Sequence, residues 1–312
     1  MPFIDVKNLS VHDPLQQKDI VANMTFSLQQ QSCLAVIGES GSGKSTVAKA
    51  LIGLVPSSLE VEGAIMLDGE LLTTQTAEQW RGKRIGFISQ DAMNAFNPIE
   101  TIGHQMMETF QRHLGLRGNE GKAHAIAGLE RVHLKNPNEL LKQYPYELSG
   151  GMLQRVMIAI TMMLSPHVII ADEPTASLDA YNRREVIMQL QRLKEETGAV
   201  LIIISHDLGV VQEIADEVMV MHQGERLEHR PAEKLFTSPE HPQTKHLLET
   251  RHRLSAPLDA LRQQRVRAFP CWSQLKRSSN MERRKGFFSG KCRQNHAYQT
   301  SHFKSKKDNV LG

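Results

Sequence analysis

GESGSGKST, residues 38–46, places three glycines, three serines, a threonine and one lysine in nine positions, directly after the apolar run CLAVI. It fits the pattern GxxxxGK(S/T) without a mismatch, with a strand candidate, CLAVIG (33–38), before it and a helix candidate, KSTVAKALIGL (44–54), after it. Glycines let such a loop wrap so that its backbone N–H groups point inward at an anion, and the helix that follows adds the positive end of its dipole. On this reading Gly38, Glu39, Ser40, Gly41, Ser42, Gly43, Lys44, Ser45 and Thr46 form a nucleotide site. Lys44 is expected to reach the β- and γ-phosphates, and the Ser45 hydroxyl to ligate Mg²⁺. The plainer alternative is an ordinary glycine-rich turn between strand and helix.

Outward from that loop, short β-branched runs alternate with longer mixed segments, the signature of an α/β fold. Further strands are expected at RIGFISQ (84–90), HVIIADE (167–173), AVLIIIS (199–205) and EVMVMHQG (217–224), and helices at 183–197 and 207–216. Nearly continuous apolar runs suit parallel strands buried on both faces. FIDVKNLSV (3–11) and ANMTFSLQ (22–29) alternate apolar and polar residues and suggest an antiparallel sheet covering one side. The stretch 91–165 reads as helical throughout, an inserted α-subdomain. The expectation is a P-loop NTPase-type parallel sheet with an antiparallel β subdomain and a helical arm. The organisation expected is a domain over 1–250, an extension over 251–270 and a tail over 271–312.

Two more elements carry chemistry. HVIIADEP ends a buried strand in two adjacent carboxylates, Asp172 and Glu173, expected on opposite sides by strand alternation. One can support Mg²⁺ while the other acts on the attacking water. In LSGGMLQR, Ser149 precedes Gly150 and Gly151 and a strongly helical run, MLQRVMIAITMML (152–164). That is an N-cap with exposed helical N–H groups, a second anion site built from the same physics. Two anion cradles and one lysine-bearing loop raise the possibility that they serve different nucleotides across a dimer. His206 and Gln90 each end a strand candidate.

Composition narrows the classes. The chain has 312 residues and a net charge of +3. No apolar run approaches the roughly 18 residues that span a bilayer, and the N-terminus lacks a secretory signal pattern. Cys33, Cys271 and Cys292 are too few and scattered for a disulfide framework, so the chain reads as cytosolic. Residues 271–312 hold ten Lys and Arg against Glu282 and Asp308, so this tail carries +8 and the first 270 residues sum to −5. A mildly acidic body gives no sign of a nucleic-acid partner.

From about residue 3 to 250 the chain resembles ATP-binding-cassette ATPases, with that family's elements in order. Walker A is GESGSGKST, the glutamine loop is at Gln90, the signature is LSGGM (148–152) and Walker B is VIIADE (168–173). SLD (177–179) matches the D-loop and His206 the switch histidine. SQDAMNAFNP (89–98), the run 205–224 and LFTSPEHPQTKHLLET (235–250) look like the peptide and nickel importer branch. YPYELSGGMLQRVMIAI (144–160) looks most like its nickel-import ATPases.

The resemblance implies ATP and Mg²⁺ as ligands. It implies Asp172 on the metal with Ser45 and Gln90, Glu173 as the group that activates water, and Gln90 and His206 as sensors of the γ-phosphate. Ser149, Gly150 and Gly151 would act on the ATP of a second, related ATPase subunit packed head to tail. Two membrane permeases and an extracytoplasmic binding protein complete the implied machine, with this chain peripheral on the cytoplasmic face of the inner membrane. The alternatives are a dipeptide or oligopeptide importer of the same architecture and a non-transport cassette ATPase.

Departures from the family pattern are specific. Met152 stands where the signature's usual final Gln would be, and the aromatic residue that stacks on adenine near residue 12 is missing, His12 being the nearest candidate. Cys271 and Cys292 alone cannot form the four-cysteine cluster of the peptide branch, which tilts the reading towards nickel. His222, His229, His241, His246 and His252 crowd one region without a compact i, i+4 pair, so packing or solvated histidines are expected rather than a metal site. The tail FFSGKCRQNH (287–296) lacks the first glycine of a phosphate loop and a strand before it. Disorder is the expected state of 271–312, with lipid or nucleic-acid binding the reading its basic and aromatic residues invite.

Overall fold

The computed structural model describes residues 2–250, except Ser177 and the side chains of Ala180 and Tyr181. The extension expected at 251–270 and the basic tail at 271–312, with Cys271, Cys292 and His252, lie outside the described residues.

Three uninterrupted apolar runs form the middle of a six-stranded sheet. β3 (Cys33–Gly38), β7 (Val168–Asp172) and β8 (Val200–Ile204) are buried at every residue. With β6 (Ile85–Ile88), β9 (Glu217–His222) and β10 (Glu225–Pro231) they are ordered β10-β9-β3-β8-β7-β6. Every pairing is parallel except that of β9 with β10. Both faces of these strands are covered, which explains why the runs lack a polar alternation. Along β8, Leu201 and Ile203 enter one core while Val200, Ile202 and Ile204 enter another. The same split divides Ala35 and Ile37 from Leu34 and Val36, and Ile169 and Ala171 from Val168 and Ile170. A period of two thus feeds two cores from one strand.

The second core lies under a four-stranded antiparallel sheet, ordered β2-β1-β4-β5. It is built from β1 (Ile4–Asp13), β2 (Lys18–Leu28), β4 (Glu60–Leu67) and β5 (Glu70–Leu71). Val6, Leu9, Val11, Val21 and Phe26 point into it, and helix α1 (Lys44–Leu51) fills it with Val47, Ala48 and Leu51. β4, β5 and the short helix α2 (Thr74–Trp80), capped by Thr73, are additions to the expected pattern.

The first core continues into the helical arm. α3 (Ile102–Leu114), α4 (Gly118–Arg131), α5 (Pro137–Leu140), one 3-10 turn (Pro145–Glu147) and α6 (Gly150–Leu164) pack around Met106, Phe110, Leu129, Leu153 and Ile158. Each of these five is fully buried, and emptying a site such as Phe110 would cost about 3–5 kcal/mol.

The arm is not helical throughout. Its first stretch, 91–101, forms turns, because the Asp91 carboxylate accepts from the Asn94 N–H and the Gln105 side chain bonds the backbone of Asn97 and Glu100. These side chains satisfy backbone groups that a helix would otherwise use, and Pro98 disfavours helix at the residue before it. α7 (Ala180–Thr197), α8 (Leu208–Ile214) and α9 (Ala232–Thr237) follow, and residues 242–250, the last described, are again helical.

Candidate functional site

Parallel strands that neighbour one another present their C-terminal ends on one edge, and here β3, β8, β7 and β6 do so in that order. Each carries a residue singled out in the sequence. β3 ends in Gly38, beside Met221 of β9, and a Cβ at Gly38 would overlap the Met221 carbonyl oxygen. At the far end of the loop Gly43 adopts φ +94° and ψ 0°, and a Cβ there would lie 2.5 Å from the Ile20 carbonyl oxygen. Only glycine fits both positions, so the loop is held close to its neighbours by the absence of side chains.

The loop closes over its own lysine. Lys44 is 6% exposed, and its Nζ donates to the carbonyls of Glu39 at 2.6 Å and Gly38 at 3.3 Å and to Ser42 Oγ at 3.3 Å. Oxygens surround this ammonium where phosphate oxygens would surround it in a nucleotide complex. Ser45 Oγ donates to Asp172 Oδ1 at 3.2 Å, joining the first turn of α1 to the end of β7. Thr46 follows on the same turn and is half-buried; Ser40 and Gly41 form the exposed crest of the loop.

Asp172 is buried, and desolvation pushes its carboxyl pKa up. The Ser45 hydrogen bond and the Lys49 and Lys44 charges pull it down, while Glu173 adds to the rise. A buried carboxylate beside a hydroxyl is a hard oxygen pair suited to Mg²⁺.

The strand alternation expected to separate Asp172 from Glu173 does not apply, because β7 ends at Asp172. Glu173 has φ +46°, a left-handed conformation that costs a non-glycine residue about 1–3 kcal/mol. Its N–H donates to the Ile204 carbonyl at 2.9 Å, and its Oε2 lies 3.1 Å from His206 Nδ1. The turn therefore swings Glu173 towards β8, where His206 follows the strand end.

Gln90 lies two residues past β6 and is exposed. Gln154 escaped the sequence reading: on α6 and 3% exposed, it donates to the Ser89 carbonyl at 3.5 Å and ties the arm to the backbone beside Gln90. A polar residue inside the apolar stripe of α6 was the available signal. A second missed connection is Arg183 of α7, whose guanidinium donates to Asp207 Oδ2 at 2.6 Å, while Asp207 Oδ1 caps α8.

Ser149 caps α6, accepting from the Met152 N–H at 3.3 Å. Gly150 is exposed, with nothing within 4 Å of where its Cβ would be, whereas Gly151 abuts Asn182 at the start of α7. Met152 packs its side chain against the arm's core. Lys44, Ser45, Asp172, Glu173 and His206 are thus gathered at one sheet edge, while Ser149, Gly150 and Gly151 open a helix of the arm.

Among the described residues the histidines have separate partners. His229 pairs with Glu217 at 2.8 Å and His222 with Gln243 at 3.2 Å. His12, the adenine candidate, bonds Asp19 at 2.8 Å.

The family model described as ABC transporter matches residues 21–176. The chain belongs to the ABC transporter family. It is similar to the metal-staphylopine import system ATP-binding protein of Staphylococcus aureus, 41% identical over 82% of this chain and 95% of that protein. The oligopeptide transport ATP-binding protein of Haemophilus influenzae is 40% identical over 81% of this chain and 80% of its own length. Among solved structures, a dimeric post-hydrolysis ATP-binding cassette bound to ADP and Pi has the same fold, with a TM-score of 0.65 at 24% identity over 73% of this chain and 98% of that one. Among the described residues of this ABC transporter protein, no helix is long and apolar enough to cross a membrane.

Proposed function

We propose that this chain is the ATP-hydrolysing subunit of an importer, coupling ATP binding and hydrolysis to the uptake of nickel, as the ion or a chelate, across the cytoplasmic membrane. The observation that carries the catalytic part is the pair of contacts Ser45–Asp172 at 3.2 Å and Glu173–His206 at 3.1 Å, side by side at the mouth of the lysine loop. The importer part draws on the relatives, named as an import-system ATP-binding protein and an oligopeptide transport ATP-binding protein.

In this mechanism Lys44 and the N–H groups of residues 38–46 hold the triphosphate. Ser45 and Asp172, with Gln90, are the residues that would hold Mg²⁺, which when bound offsets the charge developing on the β–γ bridge. Glu173 accepts the proton of the attacking water, and the β–γ bond breaks to release ADP and phosphate. His206 steadies the Glu173 carboxylate through Nδ1 and, with Gln90, senses the γ-phosphate. Ser149, Gly150 and Gly151 close on the nucleotide of a second, related ATPase. The remaining partners proposed are two permeases and an extracytoplasmic binding protein, with this chain on the cytoplasmic face.

An oligopeptide cargo is the second reading, favoured by the Haemophilus influenzae relative. The test is uptake of radioactive nickel and of a labelled dipeptide in cells lacking the native subunit, supplied with this chain or its Glu173→Gln variant. Nickel uptake that depends on Glu173 supports the first reading. Peptide uptake alone moves the cargo to the second, and uptake of neither removes the importer assignment.

A further inference from the structure

Beside the phosphate loop lies a cleft of about 200 Å³ between residues Glu39–Ser42 and the tip where β1 turns into β2. Its walls on the tip side are Asp13, Gln16, Lys18, Asp19 and Ile20, and His222 faces them. Among the described residues lining it there is no phenyl, phenol or indole ring. The His222 imidazole is held at its rim, with Nε2 3.2 Å from the Gln243 amide and Nδ1 4.0 Å from Glu39. A base entering this cleft meets one aliphatic side chain and a row of polar ones. With the His222 imidazole as the one ring in its lining, stacking, which tolerates every base, is joined here by contacts to the base edge, which differ from base to base.

Two carboxylates dominate that edge. Asp13 spends Oδ1 on the N–H groups of Leu15 and Gln16, and Asp19 spends Oδ1 on His12. Oδ2 of each makes no hydrogen bond among the described residues, and both are acceptors only. Guanine offers two neighbouring donors on its Watson–Crick edge, N1–H and the 2-amino group, with O6 as acceptor. Adenine offers one donor there, and its N1 lone pair faces a carboxylate unfavourably. Gln16 and Lys18 supply donors that match O6. An acceptor-rich, donor-flanked edge is complementary to guanine.

We propose that this chain reads the purine by its edge, with Asp19 as the acceptor for the guanine N1–H and 2-amino groups, and takes GTP at least as well as ATP. The proposal rests on the nucleotide reading of the phosphate loop given above and adds the base selectivity of that same site.

The test is calorimetric titration of the full-length chain with the imido analogues of ATP, GTP and ITP, ITP keeping O6 and N1–H but lacking the 2-amino group. The expected result is a GTP analogue Kd equal to or below that of the ATP analogue, with the ITP analogue about tenfold weaker than the GTP analogue. Asp19→Asn, at a strand tip whose side chain is 57% exposed, is expected to lower the GTP-to-ATP affinity ratio about tenfold. A GTP analogue tenfold weaker than the ATP analogue overturns the proposal. So does equal binding of the ITP and GTP analogues, which needs no variant, or an unmoved ratio in a folded Asp19→Asn protein. Binding of the ATP analogue alone would sink this inference and leave the phosphate-loop reading standing; binding of none would remove both.

Discussion

Glu173 and His206 offer a quantitative test, because their contact can be separated from their individual roles. The structure puts Oε2 and Nδ1 3.1 Å apart, with side-chain exposures of 20% and 43%. Glu173→Gln keeps the shape and removes the proton acceptor. A general base contributes about 10²–10⁴-fold, or about 3–5 kcal/mol of barrier, so kcat should fall by that factor. His206→Ala removes both its proposed γ-phosphate contact and its contact with the carboxylate. A hydrogen bond to a charged group is worth about 1.5–3 kcal/mol when buried. With His206 more than a third exposed, solvent screening reduces this to about 1 kcal/mol, a fivefold coupling. The double variant should therefore lose about fivefold less than the product of the two single losses, since a carboxylate already replaced no longer needs steadying. The assay is phosphate release at saturating Mg²⁺ and ATP for the four proteins, with thermal melts to show that all are folded. Strictly multiplicative losses, within twofold, would refute the reasoning: His206 would then act without regard to Glu173.

Three further outcomes are expected. Gly150→Ala places a methyl where nothing lies within 4 Å, and alanine is the better helix former by up to about 1 kcal/mol, so the melting temperature should hold or rise. ATP turnover should nevertheless fall at least tenfold, and normal turnover would remove Gly150 from the proposed contact with a second nucleotide. Gly43→Ala must adopt φ +94° with its Cβ 2.5 Å from the Ile20 carbonyl, a strain of about 1–3 kcal/mol. A chain of this size loses about 2–4 °C of Tm per kcal/mol, so an unchanged melt would contradict the wrapped loop. Asp172 is held above its ordinary pKa of 3.8 by burial. A raised acid contributes stability that is complete below 3.8 and is lost as pH climbs through the folded-state value. Asp172→Asn should therefore melt above the parent at pH 7 without nucleotide, the gain vanishing towards pH 3.8, while Mg²⁺-dependent hydrolysis disappears. A lower melt at pH 7 would show that the charge is not a cost.

The elements that were legible in the sequence share a property: their cause is local. β3, β7 and β8 are short apolar runs whose ends fall within one or two residues of the expected bounds. α6 begins at Gly150 rather than at 152 because Ser149 caps it directly. β4 and β5 were missed because β4 is exposed over its first four residues, so its alternation reaches only Ile65 and Leu67. The 91–101 turns were misread as helix because helical apolar spacing hides what Asp91 and Gln105 do to the backbone. Gln154 left only the mark of a polar residue in an apolar stripe and the Arg183–Asp207 pair left none, since a polar partner is identified by what faces it across the fold.

What the sequence by itself determined is the chemistry of each cradle. The phosphate loop, the Asp-Glu pair and the capped LSGG helix are set by glycine torsions, a capping hydroxyl and strand burial, all decided within a few neighbouring residues. What only the tertiary structure decided is which of these meet. Ser45 and Asp172 are 127 residues apart and Glu173 and His206 are 33 apart, yet each pair is in hydrogen-bond contact. The β1–β2 tip likewise reaches the loop from 19 to 29 residues upstream and supplies one wall of the cleft beside it. Strand order brings these ends together, and strand order follows from burying two faces of one sheet at once, a condition set by the described chain as a whole and not by any segment of it.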